Sequence, residues 1–245
     1  MERISHKIQL WTVDNFASDQ ECDQIIKEAY LKGFQPSSVQ SDIHTDAEPK
    51  EGIGAMKTVA RNSYTSFIGQ SQVGDKLIQK ATKILENMNV KFSSVEGLQV
   101  QRYKPNEHYN PHYDSFENKT SSDQRSWTVM IYLGSGSDKV PLEGGETFFP
   151  KLDLRITPKK GKAVIWNNLD SRFCRKQKTL HMGEDVIKGT KYVVTMWFRA
   201  MPENICPIME SFQSHNPVPT FNPFLLGFIC LLFLLFIWYM YRVGF

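Results

Sequence analysis

Two segments in the N-terminal third of the chain place apolar residues at helical spacing, and each predicts a helix. The first begins with a capping box formed by Ser18 and Glu21, and Gly33 is suited to its end. The second repeats apolar positions over residues 73–88. Both apolar stripes are expected to pack against a sheet. The stretch between them, residues 40–57, is polar and aperiodic and is predicted to be a mobile loop.

After Phe92 the pattern changes to short strand-like runs separated by turns that contain glycine or proline. The runs are rich in β-branched and aromatic residues and cover residues 98–103, 127–133, 147–149, 163–166 and 192–198. No helical pattern intervenes, which favours a sandwich or barrel over a parallel sheet. The predicted fold class is therefore mainly β with flanking helices, an α+β arrangement.

A third pattern occupies residues 224–241, which are uncharged and almost wholly apolar. A helix of about 20 such residues just spans the roughly 30 Å hydrocarbon core of a bilayer. Trp238, Tyr239 and Tyr241 favour the membrane interface, and Arg242 follows as a polar stop. We predict one domain over residues 1–201, a linker over 202–223 and a transmembrane anchor over 224–241. The alternative for the last segment is a buried core helix.

The predicted anchor would cross a membrane once, and an endomembrane such as the endoplasmic reticulum is expected. The first residues lack the apolar core and cleavage site of a signal peptide, so the simplest topology leaves the large domain in the cytosol. Arg242, the only basic residue beyond the span, favours the opposite orientation. The side of the domain therefore stays open. Asn118-Lys119-Thr120 is a glycosylation acceptor only if the domain is luminal.

The four cysteines, Cys22, Cys174, Cys206 and Cys230, are far apart and form no C-x-x-C pair. A reducing compartment is the simpler interpretation of this spacing. The alternative is a single bridge, either Cys22–Cys174 or Cys174–Cys206.

The charge of the chain narrows its range of partners. Its 29 basic and 26 acidic side chains leave a net charge of +3, without the concentrated basic face that nucleic-acid binding requires. We expect no nucleic-acid partner. Nothing in the sequence indicates the oligomeric state.

The first candidate chemistry is His112-Tyr113-Asp114. Alternate residues of a strand face the same side, so His112 and Asp114 would point together. With His181 they would form the facial triad of non-haem Fe(II) oxygenases. The same three side chains are also a possible Zn²⁺ set, and a histidine such as His181 is often only structural.

Lys191 decides between these interpretations. It opens an apolar run, and a lysine that points into a barrel needs an anionic partner because an unpaired buried charge is costly. A dicarboxylate bound to the metal would supply that partner, whereas zinc hydrolysis leaves Lys191 unexplained. Ahead of it, Gly144-Gly145-Glu146-Thr147 predicts a close backbone approach followed by a hydroxyl that bonds the same carboxylate. The alternative is a solvent-facing lysine at the start of a strand.

With these residues in place, residues 13–199 resemble the catalytic domain of prolyl 4-hydroxylases. The matching blocks follow one another in family order with near-family spacing. They are Arg61-Asn-Ser, Glu96-Gly-Leu-Gln-Val-Gln-Arg-Tyr103, His112-Tyr-Asp-Ser-Phe, Gln124-Arg125, Gly144-Gly-Glu-Thr-Phe-Phe-Pro150, Gly161-Lys-Ala-Val-Ile-Trp-Asn167 and the stretch from His181 through Trp197.

The resemblance implies a double-stranded β-helix, or jelly roll, with flanking helices. It also implies that His112, Asp114 and His181 bind Fe(II). Lys191 and Thr147 would then hold the distal carboxylate of the co-substrate 2-oxoglutarate, with a phenolic hydrogen bond from Tyr103. Ascorbate is the further cofactor implied by the family.

The activity implied is the 2-oxoglutarate- and O2-dependent hydroxylation of peptidyl proline to 4-hydroxyproline, with release of succinate and CO2. The substrate is then a proline-containing peptide or protein, and five residues match family positions that line the peptide groove: Arg61, Glu96, Tyr109, Arg125 and Trp197. Arg61 and Glu96 are equally explained as a structural pair. The alternatives are hydroxylation of another side chain or a free amino acid, and a non-catalytic, membrane-tethered binding module on the same fold.

Two departures from the family pattern are expected to affect substrate choice at the rim of the site. After His181 the family has Gly-x-Pro-Val, and here Asp185 stands in place of the proline. Residues 172–178, ahead of His181, are also unusually basic.

Overall fold

A computed structural model describes residues 1–37, 61–116, 124–135, 140–203 and 206. The predicted loop at 40–57, most of the predicted linker and the predicted anchor at 224–241 lie outside the described residues. No helix within the described ranges is long and apolar enough to cross a membrane.

The described residues form two α-helices, α1 (Asp19–Lys32) and α2 (Gln72–Asn87), and fourteen β-strands. The strands are β1 (Glu2–Ser5), β2 (Leu10–Val13), β3 (Gln35–Pro36), β4 (Tyr64–Ile68), β5 (Leu98–Tyr103), β6 (Tyr109–His112), β7 (Arg125–Gly134), β8 (Glu143–Gly144), β9 (Thr147–Phe149), β10 (Leu154–Ile156), β11 (Ala163–Asn167), β12 (His181–Gly183), β13 (Val186–Lys188) and β14 (Lys191–Arg199). Among the described residues, 3-10 turns also lie at Pro150–Leu152 and Gln177–Thr179.

Both predicted helices are confirmed, together with the features that begin and end the first. The Ser18 hydroxyl accepts a hydrogen bond from the Glu21 amide at 3.2 Å, and a Glu21 carboxylate oxygen accepts one from the Ser18 amide at 2.8 Å. Gly33 ends α1 with a φ of 86°, a conformation that a residue with a side chain rarely adopts. The apolar faces of both helices are buried against one face of a large sheet.

That sheet has eight strands in the order β1-β2-β11-β7-β14-β5-β4-β3, and its neighbouring strands run antiparallel. Its central strands are buried on both faces, which explains why their sequences are continuously apolar rather than alternating. In β14, Val194 and Met196 contact the helices, whereas Lys191 and Val193 face the other way.

A four-stranded sheet, β10-β9-β12-β6, covers the second face of the large sheet, and Phe149 and Trp166 meet in the core between them. This mainly β arrangement with two helices is consistent with a jelly-roll oxygenase fold. All five predicted strand runs are confirmed. Sequence pattern missed the short strands such as β8, β12 and β13, because two or three residues carry too little periodicity to be recognised.

A disulfide joins Cys174 to Cys206, with a Cα–Cα distance of 4.8 Å. This is the second of the two pairings that the sequence left open, and the preference for unpaired cysteines is wrong at these two positions. Strands β11 and β14 flank β7, and the segments that follow them bond to its start, through the backbone amides of Asn168 to Ser126 O and of Ala200 to Gln124 O. The segments that carry Cys174 and Cys206 therefore leave the same end of the sheet. Cys22 is free and buried in α1.

Candidate active site

The three predicted metal ligands come together between the two sheets. His112 ends β6 and His181 begins β12, and the antiparallel register places these residues opposite one another. Asp114 lies in the turn after β6 rather than on the strand, yet its Oδ1 atom is 3.8 Å from the Nε2 atom of each histidine. One ligand atom from each residue lies within 4.8 Å of the others. The tertiary structure thus assembles a donor set suited to a facial triad.

Hydrogen bonds around the triad fix which atoms face the centre. The Nδ1 atom of His112 lies 2.8 Å from Asn110 O, and that of His181 lies 2.9 Å from Thr179 O. Because a carbonyl only accepts, each Nδ1 donates its proton there, and each Nε2 is the ring nitrogen that faces the centre. An aromatic ring is stacked on each histidine, Tyr109 on His112 and Phe149 on His181. These arrangements suit two neutral imidazole ligands.

Asp114 is held from the opposite side by a chain of side chains. The Thr128 hydroxyl donates to Asp114 Oδ2 at 2.6 Å. The side-chain amide of Asn168 donates to the Thr128 hydroxyl oxygen at 2.9 Å. Thr128 and Asn168 are both fully buried. One carboxylate oxygen is therefore occupied by Thr128 and the other is left for a metal.

The charges of the triad also suit a cation. Burial, reinforced by the neighbouring His181, lowers the pKa of His112 to about 3, so its imidazole is neutral at physiological pH. Burial alone would raise the pKa of Asp114, but the two histidines and the Thr128 hydrogen bond outweigh it and lower that pKa. The site therefore offers neutral nitrogen and anionic oxygen donors.

Lys191 lies at the inner end of the same cavity, at the start of β14. Its side chain is 3% exposed, and its ammonium lies 5.2 Å from the ring centre of Tyr103 and 5.8 Å from that of Tyr132. Burial lowers its pKa to about 8, an effect that Glu146 and Glu184 only partly oppose. The predicted buried lysine is therefore present, and within the described residues its ammonium has no ion-pair partner. A bound anion would supply that partner.

Thr147 is the residue whose hydroxyl was predicted to bond the carboxylate of the co-substrate. It is buried and contacts Tyr132, whose ring lies near Lys191. The Tyr132 hydroxyl donates to the Thr147 oxygen at 2.6 Å, with Ile156 O as a second acceptor at 3.1 Å. Because Thr147 accepts from Tyr132, its own proton is available for another acceptor. A carboxylate bound to Lys191 would be such an acceptor.

The glycines ahead of Thr147 are required by close approaches. A Cβ atom on Gly144 would lie 2.6 Å from Asp185 O, and one on Gly145 would lie 3.0 Å from Cδ of Lys191. Both glycines have positive φ values, 75° and 71°. This pair therefore lets the chain pass close to the base of the Lys191 side chain, as the sequence predicted.

The five predicted groove residues form two groups. Arg61 lies over the ring of Tyr109, with 4.4 Å from Cζ to the ring centre. Arg125 lies over Trp197 at 3.7 Å and forms two hydrogen bonds, of 2.6 and 2.7 Å, with Glu96. Four of the five line the cavity, whereas Glu96 stands behind Arg125.

Glu96 also forms an ion pair with Arg199 at 2.9 Å. Its role is to hold Arg125 against Trp197 rather than to contact a ligand. Glu96 is thus not among the described residues that line the cavity. Its contacts fit the structural role that the sequence left open, with Arg125 and Arg199 rather than Arg61 as partners.

The cavity has a volume of about 600 Å³, within the range typical of small-molecule sites. It extends from Lys191 past the triad to Phe67, Gln99 and Trp197. A five-carbon dicarboxylate would fill only the inner part. The outer part is open for a second, larger substrate.

Sequence inspection missed three residues of the site: Thr128, Tyr132 and Arg175. Thr128 and Tyr132 lie on the same face of the apolar strand β7. Their hydroxyl groups, inside an otherwise apolar run, were the feature from which a role in the site could have been predicted. Arg175 belongs to the basic segment, but its contact with Ser115 O at 2.7 Å, beside Asp114, depends on the fold.

Comparison with known proteins places this geometry in a family. Residues 98–199 match the 2OG-Fe(II) oxygenase superfamily. A putative prolyl 4-hydroxylase of Acanthamoeba polyphaga mimivirus is 32% identical over 199 residues, which cover 77% of this chain and 73% of that protein. Prolyl 4-hydroxylase 5 of Arabidopsis thaliana is 29% identical over 221 residues, which cover 81% and 70%.

A solved structure gives the same answer. The viral collagen prolyl hydroxylase of Paramecium bursaria Chlorella virus-1, in its 2-oxoglutarate complex, superposes with a TM-score of 0.62 at 31% identity, covering 78% of this chain and 96% of that one. The inferred resemblance and the assignment as an enzyme are confirmed. The chain belongs to the prolyl 4-hydroxylase family of 2-oxoglutarate- and Fe(II)-dependent oxygenases.

Proposed function

We propose that this chain hydroxylates peptidyl proline to 4-hydroxyproline, consuming O2 and 2-oxoglutarate and releasing succinate and CO2. The observation that carries the proposal is a buried lysine without an ion-pair partner among the described residues, in the same cavity as a preorganised His-Asp-His set. A metal site alone would not require Lys191. A metal site that also holds a dicarboxylate does.

Each residue has a defined task in this proposal. His112, Asp114 and His181 would hold Fe(II), which with its co-substrates supplies the chemistry that inserts one oxygen atom into a C–H bond. Lys191 and Thr147 orient the distal carboxylate, and Tyr103 and Tyr132 form the walls around it. The requirement for ascorbate stays a prediction from the family.

Proline as the target is supported by the outer part of the cavity. Tyr109 and Trp197 both line it. Arg125 lies over the ring of Trp197, whereas the ring of Tyr109 already contacts Arg61 and His112 and can offer a ligand mainly its edge. A pyrrolidine ring of an extended peptide can lie against such rings. The names of the relatives, which include prolyl 4-hydroxylases and a collagen prolyl hydroxylase, support the same substrate class.

The direct test uses the purified full chain reconstituted with Fe(II) and 2-oxoglutarate. We expect a proline-rich peptide to stimulate succinate formation and to gain the mass of one oxygen atom on proline. Succinate formation that no peptide stimulates would retain the oxygenase but remove the proline assignment, leaving another side chain or a free amino acid as substrate. Binding of iron and 2-oxoglutarate without any succinate would contradict the proposed activity and favour the binding module.

Replacing Thr128 with valine tests the support of Asp114. The variant keeps the shape of the side chain but removes the hydroxyl that bonds Asp114 Oδ2. Loss of such a supporting contact typically lowers metal affinity by about 10- to 100-fold, and we expect that range for Fe(II). Metal titration followed by isothermal calorimetry measures it.

The control for Thr128→Val is Ser66→Ala, which removes a buried hydroxyl that bonds Ala29 O of α1, outside the cavity. It should leave metal affinity within about twofold of the parent, because it removes no partner of a ligand. Equal losses in the two variants would mean that Thr128 acts through general stability.

The pKa of Lys191 predicts how 2-oxoglutarate affinity depends on pH. Burial lowers that pKa to about 8 in the empty site, and a bound carboxylate would raise it again. Below pH 8 the ammonium is already formed, so affinity is at its maximum. Above pH 8 each binding event must take up a proton, and affinity should fall by about tenfold per pH unit.

Calorimetry at pH 7, 8 and 9 in two buffers of different ionisation enthalpy, with Mn(II) replacing Fe(II), measures both the affinity and the proton uptake. In Lys191→Arg the guanidinium stays charged throughout, so the dependence should disappear. A flat affinity up to pH 9 in the parent protein would refute the assignment of Lys191.

We propose further that residues 224–241 anchor the chain in an endomembrane with its large domain on the oxidising, luminal side. The uncharged apolar run supports the anchor. The Cys174–Cys206 disulfide supports the side, because disulfides persist in oxidising compartments. This replaces the cytosolic placement that the N-terminal sequence favoured.

Expression of the full chain in eukaryotic cells tests this orientation. A glycan on Asn118 that is removed by a glycosidase and is absent in Asn118→Gln would report a luminal domain. Labelling of Cys174 by a thiol reagent without prior reduction would instead argue for a reducing compartment.

A further inference from the structure

The rim of the cavity on the side of Tyr113 carries a group of basic side chains. Tyr113 separates the ligands His112 and Asp114 in sequence, and it lines the cavity. Arg175 lies 4.7 Å and Lys151 lies 5.8 Å from the centre of its ring. Positive charge therefore lies immediately beside the metal ligands.

Lys151 is held at this rim by neutral groups. Its ammonium donates to the Tyr113 hydroxyl at 3.1 Å and to Gln177 Oε1 at 3.2 Å, and Tyr113 in turn donates to the same Gln177 oxygen at 2.7 Å. Within the described ranges no carboxylate lies within ion-pair distance of Lys151. Its position is fixed while its charge is not neutralised by these partners.

Lys178 extends the same group. It belongs to the 3-10 turn Gln177–Thr179, which packs against the turn Pro150–Leu152 that carries Lys151. Lys178 is exposed, and no carboxylate of the described part of the chain pairs with it. Two exposed lysines thus stand on adjoining turns, and Gln177, the residue before Lys178, accepts a hydrogen bond from the Tyr113 hydroxyl.

The loop that carries Arg175 and leads to Lys178 is held in place at several points. Asp170 accepts hydrogen bonds from the amides of Arg172 and Cys174 at 2.8 and 3.0 Å, and Cys174 is bonded to Cys206. Arg175 is fixed by Ser115 O. A cationic surface built on a constrained loop loses little conformational entropy when it binds a partner.

Lys176 does not belong to this surface. It is half-buried, burial lowers its pKa to about 8, and Asp170 is the carboxylate that opposes this shift. The ammonium of Lys176 interacts with Asp170 of its own loop, so we do not assign it a role in binding the substrate.

The cavity itself has the same sign. Among its described lining residues, four basic side chains (Arg61, Arg125, Arg175 and Lys191) face a single carboxylate, Asp114. Asp114 would be neutralised by the metal, Arg125 is paired with Glu96, and Lys191 awaits the dicarboxylate. At the rim, the ammonium of Lys151, whose printed hydrogen bonds go to neutral groups, therefore favours a negatively charged group on the substrate.

We infer that this enzyme prefers a peptide substrate with an aspartate or glutamate a few residues from the target proline, and that Lys151 and Lys178 are the side chains that recognise this acidic residue. The inference rests on the proposed prolyl hydroxylation and specifies its substrate class. Collagen-like or polyproline sequences without acidic residues would then be weaker substrates.

A peptide scan with the Fe(II)-loaded full chain tests this preference. One glutamate is moved through the three positions on either side of the target proline, and each peptide is paired with a glutamine version. At the positions that reach the rim, we expect kcat/KM for the glutamate peptide to exceed that for its glutamine partner by about threefold to tenfold. The ratio should decline when NaCl rises from about 0.1 to about 1 M, as the Debye length shrinks from about 10 to about 3 Å.

Charge reversal identifies the residues responsible. The double variant Lys151→Glu with Lys178→Glu should invert the preference, so that lysine-containing peptides become better substrates than their glutamate counterparts. The matched control, Lys76→Glu with Lys83→Glu, makes the same change in net charge on the exposed face of α2 and should keep the glutamate preference. Lys151→Gln with Lys178→Gln serves if the reversed variant does not fold.

The outcomes separate the two proposals. Hydroxylation of glutamine and glutamate peptides at equal rates, at every position, would overturn the acidic preference while the prolyl hydroxylase stands. A glutamate preference that survives charge reversal would overturn the assignment to Lys151 and Lys178. Absence of hydroxylation of all peptides would remove the proposed function and this inference with it.

Discussion

Replacing His181 with alanine is expected to abolish peptide hydroxylation and to lower Fe(II) affinity by more than about 100-fold, because loss of a supporting partner alone costs about 10- to 100-fold. His181 supplies one of three ligand atoms and has no neighbour among the described residues that could replace it. Its ring is also enclosed by Phe149 and Trp166, which lie 5.5 and 5.0 Å away. Truncation would therefore leave an apolar void rather than a new ligand.

Metal content after dialysis and the rise in melting temperature on adding metal measure this effect independently of turnover, because a ligand that binds only the folded state stabilises it. The control is His6→Ala, which removes an exposed histidine and should bind and turn over like the parent. Retention of tight metal binding by His181→Ala would exclude the facial triad.

Replacing Lys191 with methionine is expected to remove 2-oxoglutarate binding while the metal still binds. Truncating one partner of a buried charge pair costs about 2–5 kcal/mol, which corresponds to roughly 30-fold to several-thousand-fold in Kd. The same change should stabilise the protein without its co-substrate. Burial lowers the Lys191 pKa from 10.5 to about 8, so at pH 7 the buried ammonium costs on the order of 3 kcal/mol that methionine would not incur.

This pair of opposite effects separates a ligand-binding lysine from a structural one. Thermal melts of the metal-loaded protein with and without 2-oxoglutarate measure both. We expect Lys191→Met to melt higher than the parent when 2-oxoglutarate is absent and to show no further rise when it is added. A lower melting temperature without co-substrate, together with retained binding, would assign Lys191 a structural role. Lys188→Met, at an exposed position in β13, is the matched control.

The two faces of the large sheet have different roles, one in forming the apolar core and the other in forming the site. Helices α1 and α2 cover one face of the large sheet and supply most of the apolar core. The other face is left to carry polar groups between the sheets, at the cost of burying Lys191, Asp114 and Thr147. A buried polar or charged group is tolerated where it has a hydrogen-bond or ion-pair partner, or where a bound ligand supplies one.

The local elements and the identity of the reactive residues could be predicted from the amino-acid sequence. Capping by Ser18 and Glu21, the central strands and the helix faces depend on neighbours a few residues apart, so their signals are visible in the pattern. His112, Asp114, His181 and Lys191 are recognisable because few other roles require those residue types in that order. The family followed from the spacing of these blocks.

The contacts between side chains that are distant in sequence became known from the folded structure alone. The register of β6 and β12 places His112 opposite His181, and the fold brings Thr128 to Asp114 and Cys206 to Cys174. Glu96 was predicted to line the groove, but in the structure it bonds Arg125, which packs on Trp197, and so lies behind these two residues. Such contacts join residues that are far apart in sequence, and periodicity, which reports only neighbours along one element, carries no information about them.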